Sequence, residues 1–114
     1  MDTLALYGDR LTLEDVERVA AGSGVRVELA AEALPGIEAS RRVVDDAVAE
    51  GRVVYGLTTG FGALAEVVIP TERIGELQEN LIRSHAAGVG EPLPEPEVRA
   101  IMLLRANVLA LGRS

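Results

Sequence analysis

The chain has 114 residues, enough for one small domain or a piece of a larger one. Its hydrophobic fraction is 48% but its aromatic fraction only 3%, so any core is built from Ala, Val, Leu and Ile, a composition that favours closely packed helices. With 18 acidic residues against 11 basic ones the net charge is -7, which argues against nucleic acid or an anionic membrane as a partner.

All the basic residues are Arg; the absence of Lys excludes a lysine Schiff base within this chain and reads most simply as coding bias. Without cysteine there is no disulfide, thiolate nucleophile or Cys-ligated metal. A single histidine, His85, cannot build a multi-His metal site. The first residues lack the basic start and apolar run of a signal peptide, and no apolar stretch is long enough to cross a bilayer. A soluble cytoplasmic protein is the expectation.

In chain order, residues 3–7 read as a short strand stopped by Gly8-Asp9. Thr12 caps a following helix, with Glu14 and Asp15 placed favourably in its first turn. Leu13, Val16, Val19 and Ala20 form its apolar stripe, and Gly22-Ser23-Gly24 ends it. Residues 25–29 alternate apolar and polar as a half-buried strand does, and pair with residues 3–7 in a two-stranded ribbon. A helix then runs from about Ala30 to Glu50, interrupted near its start by Pro35-Gly36 and capped by Gly51. Ile37, Val43, Val44, Ala47 and Val48 mark its buried side.

Residues 53–55 form a short strand and 56–69 a long loop, of the length that is usually functional or disordered. The next helix starts at Pro70-Thr71-Glu72 with Thr71 as cap, buries Ile74, Leu77, Leu81 and Ile82, and ends near Ala87. Residues 88–94 turn the chain, and Pro96 opens a last helix from a position where its missing N–H costs nothing. That helix is apolar on nearly every side from Val98 to Leu111, the pattern of a helix surrounded by protein. A chain this short has little protein to surround it. Arg105 and Asn107 within it call for pairing with a neighbouring segment; Arg83 and Arg99 read as solvated.

The chemistry concentrates in Tyr55-Gly56-Leu57-Thr58-Thr59-Gly60-Phe61-Gly62 and in Ser84-His85. A tyrosine is a base only as phenolate; at a reference pKa near 10, roughly one part in a thousand is ionised at pH 7, a gap of about 4 kcal/mol. It needs donors or positive charge at its oxygen, and the N–H groups of a Gly/Thr loop are one source. The alternative for Tyr55 is a strand-end tyrosine with its hydroxyl in water. Gly56, Gly60 and Gly62 fit neither common phosphate-loop spacing, which leaves a mobile lid or an ordinary irregular loop. His85 near a helix C-terminus is either a capping or surface residue, or else a polar contact to substrate or a proton carrier near neutral pH.

Taken together, Tyr55–Gly62, the segment from Leu77-Gln78 through Asn80-Leu81 to Ser84-His85-Ala86-Ala87-Gly88-Val89-Gly90, Met102–Asn107 and Leu11–Val16 resemble, in order and over essentially the whole chain, the N-terminal part of the histidine and aromatic amino acid ammonia-lyase family. The resemblance implies a mainly α fold, a helical segment with a small two-stranded β-ribbon at the start of a larger helical-bundle lyase. Residues 1–51 would hold the ribbon and helices, 52–70 the tyrosine loop, and 71–114 helices of the bundle. Tyr55 would be the base that removes a β-proton. Gly56, Thr58, Thr59, Gly60, Phe61 and Gly62 would form the loop that carries it, while Ser84 and His85, on the helix after that loop, would contact the substrate side chain. The Ser84-His85 pair is similar to the histidine-specific branch, with L-histidine as substrate and urocanate as product. Thr58 departs from the Asn of many bacterial histidine enzymes, which keeps a phenylalanine or tyrosine lyase, or an aminomutase, in view.

The family's electrophile, methylidene-imidazolone, is made from Ala-Ser-Gly, which this chain lacks; Ala21-Gly22-Ser23-Gly24 has the residues in another order. The resemblance therefore implies a fragment or small subunit, inactive alone and partnered by the remaining C-terminal part or a second chain, in an enzyme that is a homotetramer. A non-catalytic assembly or binding module derived from such an enzyme is the reading from a different class.

Overall fold

A computed structural model describes residues 1–22 and 24–114. Ser23, and with it the centre of the Ala21–Gly24 run, lies outside the described residues. The chain is mostly helical with one two-stranded sheet: β1 (Thr3–Leu6), α1 (Leu13–Ala20), β2 (Arg26–Leu29), α2 (Leu34–Ala49), α3 (Ile74–His85) and α4 (Glu95–Ala110). Short 3-10 turns occupy Ala31–Ala33, Gly62–Leu64 and Thr71–Arg73. Packing divides the chain into two units, Met1–Arg41 with Glu91–Ser114, and Arg42–Gly90.

In the first unit β1 and β2 pair in parallel, Thr3 opposite Arg26 and Leu6 opposite Leu29. Parallel pairing requires a crossover connection, and α1 is that connection. Its start is fixed by a capping box. The Asp15 N–H donates to Thr12 Oγ1 at 3.2 Å and the Thr12 N–H donates back to Asp15 Oδ2 at 3.2 Å. The Thr12 hydroxyl also donates to Asp15 Oδ2 at 2.9 Å, and the Thr12 backbone N–H first, then that hydroxyl, hold Asp15 below the usual carboxylate range. α4 packs on α1 and β1, burying Leu6, Leu103 and Ala110 with Leu4, Leu11, Val16 and Val19 against them. Leu13, at the first position of α1, is 80% exposed and stands outside the expected stripe.

Polar residues of α4 tie it to the same unit. The Asn107 side-chain amide donates to the Gly8 carbonyl at 3.2 Å, and Arg99, rather than being only solvated, reaches both Glu95 and the Ala20 carbonyl at the end of α1. Arg105 is exposed, so burial demands no partner for it. Val98, Ile101, Met102, Leu104, Val108 and Leu109 remain exposed on α4. Pro35 and Gly36 lie inside the first turn of α2 rather than interrupting it, because a proline there loses no helical bond.

In the second unit α2 ends as the sequence predicts. The Arg52 N–H bonds the Ala47 carbonyl and the Gly51 N–H the Val48 carbonyl, a Schellman closure with Gly51 at φ +64. Thr71 does not cap α3. It opens a 3-10 turn after Pro70, with no side-chain cap, and α3 begins at Ile74. Ile82, expected inside, is exposed, as is Val43 on α2. Among the described residues no helix is long and apolar enough to cross a membrane.

Candidate functional site

Residues 52–69 are bonded internally rather than open. No strand forms at 53–55, because Val54 spends its polar groups locally: its carbonyl accepts from the Leu57 and Thr58 amides and its N–H donates to Thr58 Oγ1 at 2.8 Å. Residues 55–58 turn, and an antiparallel bridge between Thr59 and Val68 then draws the two limbs together. Across it the Gly60 N–H meets the Val67 carbonyl at 3.1 Å and the Ile69 N–H meets the Thr58 carbonyl at 2.7 Å. Between the limbs, Gly62–Leu64 coils into a 3-10 turn, so residues 59–68 make a compact loop whose ends touch.

Tyr55 stands at the head of this arrangement with 65% of its surface exposed. Its ring meets Phe61 edge-on, centroids 5.8 Å apart and planes at 77°. Gly56 makes room for that contact. At φ +72, a Cβ there would lie 2.8 Å from Phe61 Cε1. Gly60 serves close packing, since a Cβ on it would fall 2.6 Å from Leu64 Cβ and 2.7 Å from the Leu64 carbonyl oxygen.

The backbone donors expected to favour a phenolate are otherwise engaged. The amides of Gly56, Leu57, Thr58 and Gly60 all donate to atoms within residues 54–67. The loop amides therefore shape the turn and are not free to donate to the Tyr55 oxygen.

Ser84 and His85 occupy the last turn of α3, both exposed, and their side-chain hydrogen bonds stay within that helix. The Ser84 hydroxyl donates to the Leu81 carbonyl at 2.9 Å. His85 Nδ1 lies 2.9 Å from the same carbonyl and 3.0 Å from Ser84 Oγ. A carbonyl only accepts, so this contact requires Nδ1 to be the donor, and neither of the two contacts uses Nε2. The structure thus joins Tyr55 with Phe61 and Ser84 with His85 as two separate pairs. Cavities of about 150 and 170 Å³ flank α3 and the end of α2, and none of these four residues lines them. Among the described residues no cluster of His, Asp or Glu could hold a metal ion.

What sequence reasoning missed is the part played by Thr58 and Thr59. They are the two buried polar residues of the chain's described part, 4% and 1% exposed, and both hydroxyls are fully engaged with backbone. The available signal was two adjacent hydroxyl residues placed three and four positions after the tyrosine, within reach of its flanking amides.

This fold, a parallel strand pair and helices leading into a bonded tyrosine loop, matches a known class. The aromatic amino acid lyase profile matches residues 11–114, and the chain belongs to that family. It is 58% identical over 109 residues to the histidine ammonia-lyase of Streptococcus gordonii, covering 96% of this chain and 21% of that protein. Among solved structures, the ergothioneine-degrading enzyme ergothionase from Treponema denticola superposes with a TM-score of 0.91 at 36% identity, over 97% of this chain and 22% of that one. Histidine ammonia-lyase from Trypanosoma cruzi superposes at 0.84 with 40% identity, over 98% and 21%. The chain thus spans about a fifth of the length of the relatives it matches.

Proposed function

We propose that this chain is the N-terminal portion of a cytoplasmic, oligomeric lyase that eliminates ammonia from L-histidine to give urocanate. The observation that carries the reading is the Ser84-His85 pair, in which Nδ1 is engaged with the Leu81 carbonyl and Ser84 Oγ and Nε2 is the ring nitrogen left to serve the substrate as an acceptor. An acceptor there suits a side chain that carries a donor, such as the imidazole N–H of histidine. It offers nothing to a phenyl ring. The 58% identity to a histidine ammonia-lyase supports the same choice.

The residues present do not build the family's methylidene-imidazolone, since the chain has no Ala-Ser-Gly. In the complete enzyme, where another segment or subunit provides it, that group supplies the electrophile that makes the substrate amine a leaving group. This chain's own residues act on the other side of the bond. Tyr55, exposed and steadied edge-on by Phe61, takes the β-proton as phenolate. The C–H electron pair becomes the new C=C bond, the C–N bond breaks, and the nitrogen departs as ammonia with the C–N bonding pair. Ser84 holds His85 in its ring orientation, and His85 Nε2 accepts the substrate N–H.

The exposed apolar residues of α4, among them Ile101, Met102, Leu104 and Val108, support the expectation of further protein around this segment. The test is a substrate panel with the complete enzyme. L-Histidine should give the ultraviolet absorbance of urocanate with a kcat/KM well above those for deamination of L-tyrosine and L-phenylalanine. Equal or faster turnover of L-phenylalanine, or a β-amino acid product, would overturn the substrate assignment.

A further inference from the structure

Val54 and Gly56 flank Tyr55, and each has its backbone N–H held by a threonine hydroxyl. Val54 donates to Thr58 Oγ1 at 2.8 Å and Gly56 donates to Thr59 Oγ1 at 3.1 Å. Both hydroxyls also donate onward, Thr58 to the Arg52 carbonyl at 2.9 Å and Thr59 to the Gly60 carbonyl at 2.9 Å. Each threonine therefore bonds the chain in two places, one of them an amide next to Tyr55.

Burying a hydroxyl is costly unless it is bonded, and valine has nearly the same shape without that cost. Packing alone would be met by valine at both positions. Two hydroxyls buried to 4% and 1%, each with donor and acceptor functions used, hold backbone geometry rather than fill space. The Tyr55 backbone is fixed from both sides, while the Phe61 ring steadies its side chain.

The geometry points to Thr58 and Thr59 as a clamp that positions Tyr55 for proton abstraction, which rests on the proposed role of Tyr55 as base. Neither threonine touches substrate in this scheme; both are positioning residues. An error of about 1 Å in the placement of a reacting group can cost on the order of a hundredfold in rate.

The experiment is a double-mutant cycle in the complete enzyme. Thr59→Val should lower kcat for urocanate formation at least about tenfold, with KM changed less than about threefold. Thr59→Ser, which keeps the hydroxyl, should return kcat to within about threefold of the parent. In a Tyr55→Phe background Thr59→Val should cause no further loss, because the residue it positions no longer acts. Amide hydrogen exchange supplies a second readout, with protection lost at Gly56 in Thr59→Val and at Val54 in Thr58→Val. Unchanged kcat in Thr59→Val, or an equal further loss on Tyr55→Phe, would overturn the clamp while leaving the base reading intact. Full activity of Tyr55→Phe itself would overturn the base reading and the clamp with it. If Thr59→Val does not fold, Thr58→Val completes the same cycle with the same outcomes.

Discussion

Gly112→Ala probes how closely the chain end approaches the start of α2. Gly112 sits just past α4 at φ +69, a left-handed conformation that costs a residue with a Cβ about 1–2 kcal/mol. A Cβ there would also lie 2.5 Å from the Gly36 carbonyl carbon, 2.8 Å from the Ile37 nitrogen and 2.9 Å from the Gly36 oxygen. All three are backbone atoms of the first turn of α2, so no side chain can rotate away, and overpacking of this kind adds about 1–3 kcal/mol. Together the cost is about 2–5 kcal/mol, a large share of the roughly 5–15 kcal/mol that stabilises a typical domain. A control separates the two contributions. Gly51 is at φ +64 with nothing within 4 Å of its would-be Cβ, so Gly51→Ala should cost only the conformational part, about 1–2 kcal/mol. Amide hydrogen exchange in the complete enzyme reads local opening at each end of α2. Protection at residues 36–40 in Gly112→Ala should fall roughly 5- to 150-fold further than protection at residues 47–52 in Gly51→Ala. Equal losses in the two variants would refute the close approach of Gly112 to Gly36.

Thr12→Ala should destabilise α1 by about 1 kcal/mol, seen as faster exchange of its first-turn amides. Because the folded-state pKa of Asp15 is lowered, its contribution is fully present above the unfolded value and is lost as pH falls through the folded one. The difference in α1 protection between the parent and Asp15→Asn should therefore be constant above about pH 5 and vanish in stronger acid. For His85, a Gln amide reaches the Nε2 position and an Asn amide the Nδ1 position. His85→Gln should keep a lower KM for L-histidine than His85→Asn, by roughly 2- to 10-fold, and the reverse order would refute Nε2 as the substrate contact. Phe61→Ala should lower kcat while leaving the melting temperature within a few degrees, since the Phe61 ring supports Tyr55 at the loop surface rather than the core.

Much of the helical frame was legible in the sequence because its signals are local. Thr12 announced the start of α1 through a hydroxyl three residues before Asp15, and Gly51 announced the end of α2 through the conformation that a Schellman closure needs. Parallel pairing of β1 and β2 was not legible, because alternation over residues 25–29 specifies a face and not a direction. The Pro70-Thr71 start misled because Thr71 has the chemistry of a cap, but the chain takes a 3-10 turn after Pro70 before α3 begins. Leu13, Val43 and Ile82 fit apolar stripes that this chain leaves uncovered. The tyrosine loop was visible as a motif but not as a structure. Its order comes from hydroxyl-to-amide bonds and one bridge between Thr59 and Val68, none of which follows a helical or strand period.

The most direct measurement is kcat for urocanate formation from L-histidine by the complete enzyme carrying Tyr55→Phe. The substitution removes one hydroxyl and keeps the ring that meets Phe61. The expected result is a fall of at least about a hundredfold in kcat, the usual contribution of a general base, with L-histidine still bound. An undiminished kcat would contradict Tyr55 as the residue that takes the β-proton.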